Sequence, residues 1–275
     1  MIKKNIISKQ TNGIWSFTYP EDVEMVVVSG DIHGAFRQIV NKVTAQYDIR
    51  NALLIVAGDC GFGFEKPGYY EDIYQRCAKQ LKKNNIYVAF VRGNHDNPEY
   101  FNQRIIDKSR WATIPDYSII RAAGKNILCI GGAISVDRQY RFEQRKPINS
   151  ARHYNGPIEL KPNIYWANEC VVYDIDKLDE ISKQASIDTV ITHTSPTWCE
   201  ITNHDGLSDF SKNDPTLIED VINERHQVDL IYEYLIREKH PIKNWLYGHF
   251  HRSWNSEIDG IKFSLLDCEE LRELR

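Results

Sequence analysis

Seven side chains of metal-binding type recur in short stretches along the chain: Asp31, His33, Asp59, Asn94, His193, His249 and His251. The stretches read "GDIHG", "GDCG", "GNHD", "THTSP" and "GHFH". In extended backbone, residues i and i+2 point to the same side. Asp31 with His33, and His249 with His251, can therefore face one pocket; where the chain turns, the members of a pair can reach different ions. A mixture of imidazole, carboxylate and amide oxygen suits manganese, iron, zinc, nickel or cobalt. It does not suit calcium, which takes oxygen ligands. Seven ligands are too many for one catalytic ion with an open position. They fit two divalent ions about 3.5–4 Å apart, bridged by a carboxylate and a water. Asp59, which stands alone at the centre of the set, is the expected bridge. A lone "GD" or "GNHD" is a common turn, and a lone histidine at a strand end is usually structural. Five such endings in one chain are hard to obtain from turns alone.

Each stretch ends an apolar run. The runs are "EMVVVSGDIHG" (24–34), "NALLIVAGDCG" (51–61), "NIYVAFVRGNHD" (85–96), "NILCIGGA" (126–133), "DTVITHTSP" (188–196), "KNWLYGHFH" (243–251) and "IKFSLLD" (261–267). Continuous apolar runs of this length, bounded by turn signals, predict strands buried on both faces. Helical spacing lies between them: Phe36, Ile39, Val40 and Val43 over 35–47, Ile73, Cys77 and Leu81 over 69–84, and an amphipathic stretch over 217–239. Strand and helix in alternation predict an α/β fold with a largely parallel or mixed sheet. Ligands of such sheets bind beyond the carboxyl ends of the strands. Two irregular segments, 134–170 and 196–216, begin just after strands and are expected to overhang the site.

Bulk composition agrees with an ordinary globular chain of 275 residues, 42% hydrophobic and 26% charged. The net charge of -4 gives no global reason to expect nucleic acid. The start, "MIKKNIISKQ", has no apolar segment behind its lysines and is not expected to act as a secretory signal. No apolar run approaches the roughly 20 residues that cross a bilayer. A cytoplasmic protein without a membrane partner is expected. The six cysteines form no CxxC pair, which argues against a zinc knuckle or a disulfide framework. They read mostly as buried thiols.

The ordered stretches resemble the calcineurin-like metallophosphoesterase superfamily, whose signature runs D-x-H, GD, GNH[DE], a separate H, then GHxH. The resemblance spans residues 30–251 and implies a β-sandwich of mixed sheets flanked by helices on both sides. It implies a single domain over 1–275, with an insert at about 134–170 near the site. It implies a first ion held by Asp31, His33, Asp59 and His251, and a second held by Asp59, Asn94, His193 and His249. It also implies that His95 touches the substrate and protonates the leaving group. Manganese is the expected metal. Two cations would neutralise the phosphoryl oxygens and make hydroxide available near neutral pH, and a histidine near its working pKa can supply the proton.

The expected activity is hydrolysis of a phosphate monoester. A phosphodiesterase or nuclease, or a non-catalytic binding protein on the same fold, are the alternatives. Asp96 is a candidate to orient His95. "VRGNHD" is similar to the "LRGNHE" of protein Ser/Thr phosphatases, which makes Arg92 a candidate phosphate clamp. "GDCGFGF" departs from those enzymes' GDxVDRG and weakens that parallel. The basic and aromatic stretch 135–154 offers Arg138 and Arg141 as further substrate contacts, with Asn94 beside them. Trp198 and His204 are candidates for the pocket wall.

Overall fold

The computed structural model describes residues 6–144, 164–199 and 206–275. Along the chain its strands are β1 (Ile7–Thr11), β2 (Ile14–Thr18), β3 (Met25–Ser29), β4 (Ala52–Ala57), β5 (Ile86–Val91), β6 (Asp107–Lys108), β7 (Trp111–Thr113), β8 (Ser118–Ala122), β9 (Lys125–Ile130), β10 (Thr189–Thr192), β11 (Asn244–Tyr247), β12 (Trp254–Ile258), β13 (Ile261–Leu265) and β14 (Leu271–Glu273). The helices are α1 (Phe36–Asn41), α2 (Pro67–Asn84), α3 (Pro98–Asn102), α4 (Arg138–Gln144), α5 (Ile175–Gln184), α6 (Leu207–Phe210) and α7 (Leu217–Arg237). All seven apolar runs contain a strand. The spacing over 35–47 becomes α1 and a π-helical turn, Lys42–Gln46.

Two mixed sheets form. One has the order β14-β3-β4-β5-β7-β6 and the other β1-β2-β8-β9-β10-β11-β13-β12. β3, β4, β5 and β7 run parallel, with β14 and β6 antiparallel at the edges. In the larger sheet β9, β10, β11 and β13 run parallel.

The continuous apolar runs follow from burial on both faces. Side chains alternate across a strand. Val26 and Val28 of β3, with Leu53 and Ile55 of β4, meet Ile127, Ile191 and Leu246 of the other sheet. Val27, Leu54 and Val56 face the opposite way, against Phe36, Ile39, Cys77 and Leu81 of α1 and α2. On the far side of the larger sheet, Val190, Trp245 and Phe263 pack on Leu178 and Ile181 of α5 and on Val228, Ile231 and Leu235 of α7. Helices therefore cover both outer faces of a sandwich. Each fully buried Val, Leu or Ile stabilises this arrangement by roughly 1.5–3 kcal/mol. Among the described residues, no helix is long and apolar enough to cross a membrane.

The topology has one consequence for chemistry. The parallel strands β3, β4 and β5 of one sheet, and β10, β11 and β13 of the other, end at the segments that bear the polar residues.

Candidate metal centre

Asp31 and His33 follow β3, Asp59 follows β4, Asn94 and His95 follow β5, His193 follows β10, and His249 and His251 follow β11. All seven predicted ligands converge. Asp31, His33, Asp59 and His251 form one group whose ligand-type atoms lie within 4.8 Å of one another. We call it the outer half: the side chains of His33 and His251 are 34% and 51% exposed. His193 Nε2 stands 3.1 Å from Asp59 Oδ1 and 3.1 Å from Asn94 Oδ1, and the His249 ring lies 4.9 Å from the His193 ring. This inner half is buried throughout. Asp59 belongs to both.

The loops are laced together by backbone. Ile32 and His33 donate their N–H groups to the Asp59 carbonyl, and Gly34 donates to Cys60. His249 N–H donates to Asp31 Oδ1 at 2.9 Å, and His95 N–H to Asp59 Oδ1 at 2.7 Å. Gly248 is required by the first of these contacts, because a Cβ there would meet Asp31 Oδ1 at 2.1 Å. His33, Asp59, His249 and His251 all take positive φ, between 42° and 73°. Such conformations are sparsely populated by non-glycine residues and persist where the surroundings fix them. They also decide how the pairs point. Asp31 and His33 reach the same half, whereas His249 and His251 divide between the two.

Tautomer and charge are set from outside the site. His193 Nδ1–H donates to the Ala57 carbonyl at 2.7 Å, which directs Nε2 inward. Asn94 donates through Nδ2 to Ser135 Oγ, which donates in turn to the Glu169 carboxylate at 2.6 Å. The amide oxygen of Asn94 is thereby aimed at the site. Burial alone raises the Asp59 carboxyl, but His95 and His193 outweigh it and hold it well below the ordinary carboxylate range. Burial lowers His193, yet Asp59 and Asp31 bring it up to about 9. The Asp31 carboxylate, and then the Cys268 thiol, push His251 up to about 10. Among the described residues, the buried Asp31 Oδ2 accepts no well-aligned hydrogen bond. A donor set of imidazoles, carboxylates and one amide oxygen around such an orphaned carboxylate oxygen fits divalent cations.

His95 sits beside the group, its ring centroid 5.1 Å from that of His33. Burial, and then Arg141 and His33, lower it against the pull of Asp59. Arg141, from α4, reaches the His95 ring and pairs with Asp137 at 2.7 Å. Two recesses flank His95. One of about 120 Å³ is walled by Asp59, Asn94, Asp137, His249 and His251. The other, about 280 Å³, is walled by His33, Phe64, Glu65 and Tyr69.

Other expectations fare differently. The Asp96 carboxylate is fully buried and accepts the N–H groups of Cys60, Gly61, Phe62 and Gly93. It ties the loop after β4 to the loop after β5, and its contacts are these amides, not the His95 ring. Burial and Asp59 push it to about 7. Arg92 presents no open guanidinium. It is buried, pairs with Asp116 at 2.8 Å and donates to the Glu169 carbonyl at 2.6 Å. Arg138 is held by Asp214 and Asp220 at 2.5 and 2.6 Å. Trp198 packs edge-on against Tyr232 and Phe263. His204 and the basic residues Arg145, Lys146 and Arg152 lie outside the described residues. Sequence reasoning missed the Ser135–Glu169 chain behind Asn94. It also missed Cys268, whose thiol is hydrogen-bonded to His251 and His33 and held below its ordinary value.

The family profile of the calcineurin-like phosphoesterases matches residues 25–253. The chain is a calcineurin-like phosphoesterase. Membership implies metal-dependent hydrolysis of a phosphoester. Among solved structures, this phosphoesterase is similar to TT1561 of Thermus thermophilus, with 13% identity over 92% of this chain and 99% of the other, at a TM-score of 0.49. It is also similar to a phosphopantetheinyl hydrolase of Mycobacterium tuberculosis, with 13% identity over 92% and 96% of the chains, at a TM-score of 0.48. A further solved chain gives 10% identity over 92% and 98%, at a TM-score of 0.52. At 10% identity this last likeness concerns the fold alone. No curated protein matches the sequence.

Proposed function

We propose that the protein is a phosphomonoesterase with two divalent ions, the outer one held by Asp31, His33, Asp59 and His251 and the inner one by Asp59, Asn94, His193 and His249. The observation that carries this reading is the convergence of all seven side chains on one edge of the sandwich, with Asp59 common to both halves. The ions, when bound, neutralise phosphoryl oxygens and activate water, and manganese is the first candidate. The protein's own groups supply the rest. His95, within the recess walls, donates a proton to the leaving oxygen. Arg141, bonded to the His95 ring, is in this reading the guanidinium that meets the phosphoryl group.

The chain acts as one domain in this reading. The insert at 134–170 contributes α4, and with it Arg141, to the rim. Arg92, Arg138 and Asp96 keep structural roles, each saturated by the partners named above. A cytoplasmic setting and a small-molecule or phosphopeptide substrate complete the proposal; nucleic acid is not favoured at a net charge of -4.

A diesterase is the second reading. The recess lined by Phe64 and Tyr69 offers a second organic group an apolar wall beside His95. The two readings separate in one assay. With manganese, turnover of para-nitrophenyl phosphate above its bis ester, lost in Asp59→Asn and reduced in His95→Ala, is the expected result. Preference for the bis ester favours the diesterase. Silence on both esters with ions bound would sink both.

A further inference from the structure

Cys268 follows β13, whose carboxyl end lies beside that of its parallel neighbour β11. Its sulfur and the ring nitrogens of His33 and His251 lie within 4.8 Å of one another. These two imidazoles belong to the outer half, and their Nε2 atoms stand 3.0 Å apart. Cys268 is exposed, in contrast to Cys60, Cys77, Cys129 and Cys199, which are buried, and Cys170, which is half-buried.

The thiol is carried on a clamped segment. Gly30 N–H donates to the Glu270 carbonyl and Glu269 N–H to the Asp31 carbonyl, at 3.1 and 2.8 Å. Lys42 Nζ donates to the Glu269 carbonyl at 2.6 Å. A Cβ at Gly30 would meet the Asp267 carbonyl oxygen at 2.2 Å, so the two backbones lie in direct contact. The turn bearing Cys268 is thus bonded to the loop bearing Asp31. A second observation points to a ligand beside the same two imidazoles. Asp31 Oδ2 is buried, accepts no well-aligned hydrogen bond, and stands 3.2 Å from His251 Nε2 and 3.8 Å from His33 Nε2.

We propose that Cys268 is a thiolate ligand of the outer ion, reaching it beside His33 and His251 and joining Asp31, His33, Asp59 and His251. This rests on the dinuclear reading above and deepens it. On binding, a sulfur–metal bond forms and the thiol proton leaves to solvent; no electron is exchanged. Soft sulfur selects zinc or iron over manganese for the outer ion, which leaves manganese the first candidate for the inner ion alone. The outer site then differs from the inner one in metal preference, because the inner half is built from the oxygen and nitrogen donors of Asp59, Asn94, His193 and His249.

The test is cobalt(II) titration of the full chain, followed by absorption and by metal content. The wild type should develop a near-ultraviolet sulfur-to-cobalt charge-transfer band as the outer site fills. Cys268→Ser should lose the band and weaken the outer site by at least about tenfold. Cys268→Asp should bind without the band and shift preference toward manganese. Zinc should slow iodoacetamide alkylation of Cys268 in the unmutated protein, which needs no variant to fold. Two bound cobalt ions with no band, and alkylation indifferent to zinc, would overturn the thiolate ligand and leave the dinuclear site standing. No bound ion at all would overturn both.

Discussion

His193 and His251 each follow an apolar strand, yet the first side chain is wholly buried and the second is half exposed. The difference runs through the whole centre. The inner half is enclosed by side chains locked from behind: His193 by the Ala57 carbonyl, Asn94 by Ser135 and Glu169. The outer half is buried only at its carboxylates, and its imidazoles stand at the rim beside Cys268. The same residue types thus make two different sites. The inner ion should be tight and slow to exchange, and the outer ion looser, because exposed ligands are less well preorganised and their charges better screened.

Asp59 is where the comparison can be broken outright. Its carboxylate serves both halves and receives the His95 N–H, so Asp59→Asn should lower turnover by on the order of 10³-fold and reduce metal content at both sites. A variant that keeps two ions and full rate would remove the bridge. His95→Ala comes next. It should keep both ions and slow hydrolysis by about 10²-fold for poor leaving groups, and less for good ones. Equal losses across a leaving-group series would argue against proton donation. Ser135→Ala tests whether the inner half depends on support from outside. It frees the Asn94 amide from its anchor and should weaken the inner ion by roughly tenfold, with the outer ion unaffected; calorimetric titration reads both.

The smallest effect concerns stability. Glu224, on α7, is buried, and burial raises its carboxyl to about 8. Between its ordinary value of 4.5 and 8, the folded chain holds a proton that the unfolded chain has released. Stability should therefore fall as pH rises through that window. Glu224→Gln should flatten the fall and raise Tm at pH 8 by a few degrees, at about 2–4 °C per kcal/mol. A wild-type Tm that climbs from pH 5 to pH 8 would reverse the sign.

The sandwich strands were legible because burial on both faces writes an unbroken apolar run, as in "ALLIVA" of β4. Edge strands carry no such mark. β1 is "ISKQT", nearly all exposed, and β14 is three residues long. The seven converging side chains were legible because a strand end flags each one, and a neighbouring glycine flags all but His193. The arginines were not, since an Arg beside a motif looks the same whether it faces substrate or, like Arg92, is consumed by Asp116 and carbonyls. Adjacent residues in extended chain point apart, and the Asp96 carboxylate accordingly turns to the amides of Cys60, Gly61, Phe62 and Gly93. Cys268 had a signal. The run "IKFSLLDC" ends in a polar pair at the same edge as the others, without the glycine that marks most of them.

The most direct test of the two-ion centre is metal content per chain, measured beside turnover, in the wild type and in His251→Ala. The account predicts two ions in the wild type and, in the variant, a filled inner half with an outer ion weakened by at least about tenfold, with turnover following the second ion. One ion per fully active wild-type chain, or an outer ion of unchanged affinity in His251→Ala, would contradict it.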